Sequence, residues 1–197
     1  VNNIMIALYA FVIISFFITI VDIIIRFPLQ SEMIDYNDIQ AIVINVLALL
    51  IQIVSFAYGF VNAIRGMLSP KRMGAVITAF FAATCITGTG NMVINSNVQI
   101  VLWWIVLIIP NIVGAVATFA YFVLGKKSKI YSIIIYLAAI WGMFRIIYSN
   151  YNLIVHANQY LSMNSTVRLV LEIAIHCLVI YQTYVLWIKR QNAIDIS

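Results

Sequence analysis

Charge is what this chain has least of. Of its 197 residues only 9% are Asp, Glu, Lys or Arg, 64% are hydrophobic, and the mean hydropathy is +1.06. Soluble domains carry about 25% charged residues, because a surface in water has to be built from them. The material for such a surface is missing here, which points to a fold embedded in a lipid bilayer. Cysteine is scarce too. Cys85 and Cys177 sit in separate apolar segments, a placement that argues against a disulfide framework or a zinc site and suits small embedded hydrophobes. The two histidines, His156 and His176, are too few for a four-histidine haem bundle.

Catalytic signatures are missing as well. There is no glycine loop followed by Lys-Ser/Thr, no His-Glu-x-x-His and no Gly-x-Ser-x-Gly, so the known patterns for phosphate cradling, zinc proteolysis and hydroxyl nucleophiles have no counterpart. An intramembrane hydrolase would have to use Ser15, Ser55 or Cys177. Cys177 adjoins His176, but neighbouring helix positions point about 100° apart, a poor arrangement for proton transfer. The expectation is a non-enzymatic protein with no cofactor identifiable from its residues.

Long apolar runs are what the chain does have. A transmembrane helix needs about 20 mostly apolar residues, and six segments qualify, at Ile4–Ile25, Gln40–Ile64, Met73–Gly90, Ile100–Leu124, Ile130–Ile154 and Thr166–Ile188. Their apolar character is continuous rather than alternating, so they are expected to be helices and not barrel strands. Pro28 is expected to end the first span, Ser69-Pro70 to separate the second from the third, Gly88, Gly90 and Asn91 to end the third, and Gly125 to end the fourth. The first apolar run is too long for a signal peptide and lacks a basic front end. The fold class expected is therefore an all-α integral membrane protein, a single domain over residues 1–197 with six transmembrane helices in three hairpins.

Lys and Arg give the orientation. Arg65, Lys71 and Arg72 fall in one turn, Lys126, Lys127 and Lys129 in another, and Lys189 and Arg190 after the last span, whereas Glu32, Asp35 and Asp38 fall on the other side. Basic residues favour the cytoplasmic face, so both termini are expected there. This accounts for the net charge of +5 and leaves nothing to indicate nucleic-acid binding; attraction to anionic lipid is the alternative use of the same residues. Tyr131, Tyr184 and Trp187 lie near the inner boundary and Trp103, Trp104, Tyr148 and Tyr151 near the outer one, as in an aromatic belt.

Charged and polar groups inside spans are costly and carry the functional expectations. Arg168, Glu172 and His176 recur every four residues and stack on one helical face. Glu172 and His176 fit either a proton relay or ligand anchor, or a neutralised pair that holds the bundle together. Arg145 falls in the outer half of the fifth span and needs a carboxylate partner, Glu172 first and Asp22 second. Asp22 and Arg26 form a further pair four residues apart at the edge of the first span. Asn45 and Gln52, seven apart, share a face of the second span, and Asn111 follows Pro110 in the fourth, where a proline-bent helix is a common setting for a binding site. Asp22, Asn45, Gln52, Asn111, Arg145, Glu172 and His176 are expected to converge on one pocket open to the exterior. Small residues such as Ala79, Ala83, Gly114 and Ala117 indicate close helix packing, either within the chain or against a partner. The segment Thr87–Asn91, although it has the make-up of a carbonyl filter, is explained by a glycine-capped helix end.

These residues describe a small polytopic transport-type protein, either a carrier or the substrate-binding membrane subunit of a transporter. The expected surroundings are the lipid bilayer of a bacterial-type plasma membrane or an organelle, a small polar or anionic solute, and partner subunits or a second copy. The alternative is a non-catalytic integral subunit or assembly factor of a larger membrane complex.

Overall fold

The computed structural model describes residues 2–30, 36–94, 98–126, 128–149, 170 and 173–185. Among these, every regular element is helical: α1 (Asn2–Gln30), α2 (Tyr36–Ile64), α3 (Pro70–Ile94), α4 (Val98–Thr118) continued by a π-helical turn (Phe119–Val123), α5 (Lys129–Ser149), and α6 over the apolar stretch Ile173–Val185. By length and composition two stretches are able to cross a membrane, Ile42–Ile64 in α2 and Pro70–Gly90 in α3. Asn3–Ile18, Ile108–Val123 and Ile173–Val185 are shorter apolar helices.

Local chemistry sets the turns. At the end of α2, Gly66 adopts φ +67°, and the Gly66 and Met67 amides donate to the Ala63 and Asn62 carbonyls at 3.1 and 2.9 Å. This is a Schellman stop, which needs the left-handed conformation that glycine adopts without strain. Ser69 then caps α3. Its hydroxyl accepts from the Arg72 amide at 3.3 Å, and Pro70 occupies the first helical position, where a missing N–H costs nothing. Gly125, at φ +71°, ends the fourth helix as expected.

Two expected stops lie inside helices instead. α3 runs to Ile94, through Gly88, Gly90 and Asn91, and Thr87–Asn91 is therefore helical, with the carbonyls of Thr87–Gly90 facing helical donors. Gly90 serves packing: a Cβ there would sit 2.5 Å from Ile44 Cγ2 on α2, so glycine permits the close approach of the two helices. Likewise α1 extends to Gln30, and Pro28 falls in its last turn.

α3 is central, packed against α2, α4 and the π-helical turn, while α1 packs on α2 and α5 on α4. Phe122 of the π-helical turn lies directly on Gly74 near the start of α3. That contact puts the α2–α3 and α4–α5 turns, with their basic residues, at one end of the bundle. Half of the apolar window of α3 is buried, against 17% of that of α2. The outward faces are as apolar as the interior: Val98, Leu102, Ile105, Ile109, Ile112 and Val116 line the outside of α4, and Ile130, Ile133, Leu137, Ile140, Phe144 and Ile147 that of α5.

A continuous aromatic chain crosses the core. Tyr9 on α1 meets Phe56 on α2 at a ring-centroid distance of 6.2 Å, Phe56 meets Phe80 on α3 at 6.4 Å, and Phe80 meets His176 on α6 at 5.1 Å. Such tilted and edge-on pairs add to the burial of the rings themselves.

Candidate functional site

His176 is the best-placed of the expected site residues. Its ring is 6% exposed and stands edge-on to Phe80 at an interplanar angle of 87°. On its other side α5 offers no side chain at all: a Cβ added to Gly142 would lie 2.6 Å from His176 Nε2 and 2.8 Å from Cδ2. Glycine at 142 is thus what admits an imidazole between α5 and α6. Asn111, also buried at 7% exposure, enters the same layer from α4. Gly114, one turn further along α4, sits against Ala138 of α5 and Phe81 of α3, with a would-be Cβ 2.9 and 3.2 Å from them. From that contact Asn111 lies about 4.5 Å outward along α4, and Gly142 about 6 Å outward along α5. Asn111, Gly142 and His176 therefore share one level, with Phe80 and Phe81 beneath them on α3.

Arg145 continues this arrangement. Ala138, Gly142 and Arg145 are related by i, i+4 and i+7, so Arg145 occupies the face of α5 that meets α4 and α6. It is half-buried and about 4.5 Å further outward than Gly142.

On α2 the stripe directed at the core contains Asn45, Ala48, Gln52, Phe56, Gly59 and Ala63. Along it Asn45 is exposed, Gln52 half-buried and Phe56 fully buried. Ala48, between Asn45 and Gln52, is buried at 3% exposure, and Ile44 beside Asn45 meets Gly90 of α3, so the α2–α3 contact continues to that end, opposite the basic turns. Pro110 lies inside α4 one residue before Asn111. It has no N–H to donate, which leaves the Val106 carbonyl without its helical donor. The side chain of Asp22 and all of Glu172, both expected in the site, lie outside the described residues, as do Arg168 and His156.

Two features could not be anticipated from composition. Arg72, placed among the topology-setting basic residues, also holds two helices together. Its Nη1 donates to Asn62 Oδ1 and to the Met67 carbonyl, both at 2.8 Å, while Asn62 Nδ2 donates to the Tyr58 carbonyl at 2.7 Å. This clamp ties the start of α3 to the end of α2. Gln182 on α6 is fully buried, and neither Nε2 nor Oε1 finds a hydrogen-bond partner among the described residues; the same holds for the Tyr9 hydroxyl and Trp141 Nε1. The signal for Gln182 is a lone carboxamide in an apolar run, the kind of group that is costly in a bilayer. No group of three or more His, Cys, Asp or Glu able to hold a metal occurs among the described residues. No family model, curated protein or solved structure matches the chain.

Proposed function

We propose that this chain is a small multi-pass membrane protein of the transport type, a carrier or the substrate-binding membrane subunit of a transporter, with a polar pocket that opens on the side opposite the basic turns. The observation that carries this reading is the polar level between α4, α5 and α6 that holds buried Asn111 and His176, with half-buried Arg145 just outward of it. The apolar outer faces of α4 and α5 support membrane embedding, because exposed apolar patches of this extent are rare on proteins surrounded by water. In this reading six helices span the bilayer as three hairpins, with both termini on the cytoplasmic side. Arg145 neutralises an anionic group of the solute. Glu172, four residues before His176 in the sequence, completes the site with it in this reading, either as a proton relay or as a polar anchor.

One observation favours a second reading. Asn45 is an exposed polar side chain within the apolar stretch Ile42–Ile64, and a polar side chain there suits a partner helix. The chain would then be a non-catalytic subunit of a larger membrane complex. Native mass spectrometry after purification in a gentle detergent separates the two. The transport reading predicts a small polar or anionic solute that travels with the wild-type protein and is lost from Arg145→Gln and Glu172→Gln. A stoichiometric partner chain, with no solute and no effect of either substitution, would instead establish the subunit reading.

A further inference from the structure

Gln182 presents a problem that the outer pocket does not solve. The contact of His176 with Gly142, together with the proximity of Tyr184 to Tyr136, shows α5 and α6 running antiparallel. Gln182 is six residues past His176, about 9 Å nearer the basic end of the bundle. Its neighbours along the buried face of α6, Leu178, Val179 and Val185, belong to the continuous apolar core. A carboxamide there presents two donors and an acceptor, and none is satisfied among the described residues.

Tyr9 repeats the situation on α1. It belongs to the same core and is fully buried. Glycine at position 59 makes room for its phenol end, since a Cβ there would lie 2.5 Å from Tyr9 Cε1, Cζ and Oη. The space is made for the hydroxyl, yet among the described residues the hydroxyl has no hydrogen-bond partner. Tyr9 lies about 10 Å from the start of α1, and Gly59 about 8 Å from the end of α2, so Tyr9 and Gln182 sit within about one helical turn of the same level. Buried polar groups that the protein leaves unsatisfied are the places where internal water resides, and lipid cannot substitute for it.

We propose that the inner half of the bundle holds resident water, bound at the Gln182 carboxamide and at the Tyr9 hydroxyl. This inference stands apart from the solute pocket and does not depend on the transport reading. Water-derived hydroxyl-radical footprinting in nanodiscs, with the full chain and ¹⁸O-labelled water, tests it. The expected result is label on Tyr9 and on Leu178, although both are shielded from bulk solvent, with loss of the Leu178 label in Gln182→Leu. Thermal unfolding gives an independent reading. Tyr9→Phe removes only the hydroxyl, and Gln182→Met keeps the side-chain volume. If the sites are hydrated, both variants leave Tm unchanged or lower it. If the sites are dry, each variant removes an unsatisfied buried group and raises Tm, by about 2–12 °C for a chain of this size. Absence of label together with such a rise would overturn the proposal.

Discussion

Replacing Gly142 by alanine inserts a single methyl between α5 and the imidazole of His176. The new Cβ would lie 2.6 Å from Nε2, whereas non-bonded heavy atoms settle at about 3.5–4.0 Å, so roughly 1 Å has to be found. The ring has little room to yield, because it is 6% exposed and Phe80 stands edge-on to it at 5.1 Å. Overpacking of this kind costs about 1–3 kcal/mol. The exchange of glycine for alanine inside a helix returns about 0.8–1.0 kcal/mol. The net expectation is a loss of up to about 2 kcal/mol, or a Tm lower by up to about 8 °C. The assay is thermal unfolding of purified protein in detergent, followed by tryptophan fluorescence, on a double-mutant cycle. In a His176→Ala background the methyl meets no ring and only the helix-propensity gain remains, so Gly142→Ala should there be neutral or stabilising. The coupling should be about 1–3 kcal/mol, in the range for residues in direct contact. Equal stabilisation by Gly142→Ala in both backgrounds would refute the placement of His176 against α5, and with it the polar level from which the candidate site is built.

Further outcomes follow from other contacts. Gly74→Ala drives a methyl into Cβ of Phe122, which is fixed to the backbone and cannot swing away; stability should fall by about 2–3 kcal/mol, and because Phe122→Ala keeps that Cβ, only Phe122→Gly should relieve the clash made by Gly74→Ala in a double-mutant cycle in the same unfolding assay. Asn62→Leu leaves the part-buried Arg72 guanidinium without its side-chain acceptor. A cost of about 1–3 kcal/mol is expected, together with faster proteolysis of the 65–69 turn, and an unchanged cleavage rate would count against the clamp. At Gly66, φ is +67° and a Cβ meets no atom within 4 Å, so Gly66→Ala should cost only the backbone penalty, about 1 kcal/mol, and Gly66→Asn less than that. Cys177 is exposed on an apolar helix. If that face meets lipid, a charged maleimide should leave it unmodified in intact membranes and label it after denaturation; modification in intact membranes would place the face in water.

Much of the helical layout is legible from residue order, since it depends on neighbours in the chain. Gly125 and Ser69-Pro70 act as local punctuation, and Gly66 stops α2 through bonds that span only a few residues. Gly90 uses the same residue type for something else. Gly90 is placed by Ile44, a side chain arriving from a different helix, and no local pattern encodes which neighbour will come close. His176 and Arg145 stand out in an apolar run by cost alone, but Gly142, the residue that decides where the His176 ring lies, has no chemistry to draw attention to it. Gln182 is inconspicuous for a related reason. A neutral carboxamide in a span looks less anomalous than a charge, and only its complete burial without a partner among the described residues reveals its cost.

The π-helical turn at Phe119–Val123 has a consequence for the phase of everything around it. Ala120, Tyr121 and Phe122, three consecutive residues of the turn, are all buried. The Leu124 amide reaches back to the Phe119 carbonyl, and the Lys126 amide to that of Ala120, so the wide turn absorbs one residue more than an α-helical turn would. That extra residue lets the helix present Phe122 to Gly74 while still delivering Gly125 and Lys126 at the angle the next hairpin needs. Deleting one residue of the turn would restore ordinary helical pitch and leave the segments on either side close to their present phase, because the wide turn already absorbs one residue. Deleting a residue from the regular part of α4 would instead rotate everything before the cut by about 100° against the Phe122–Gly74 contact.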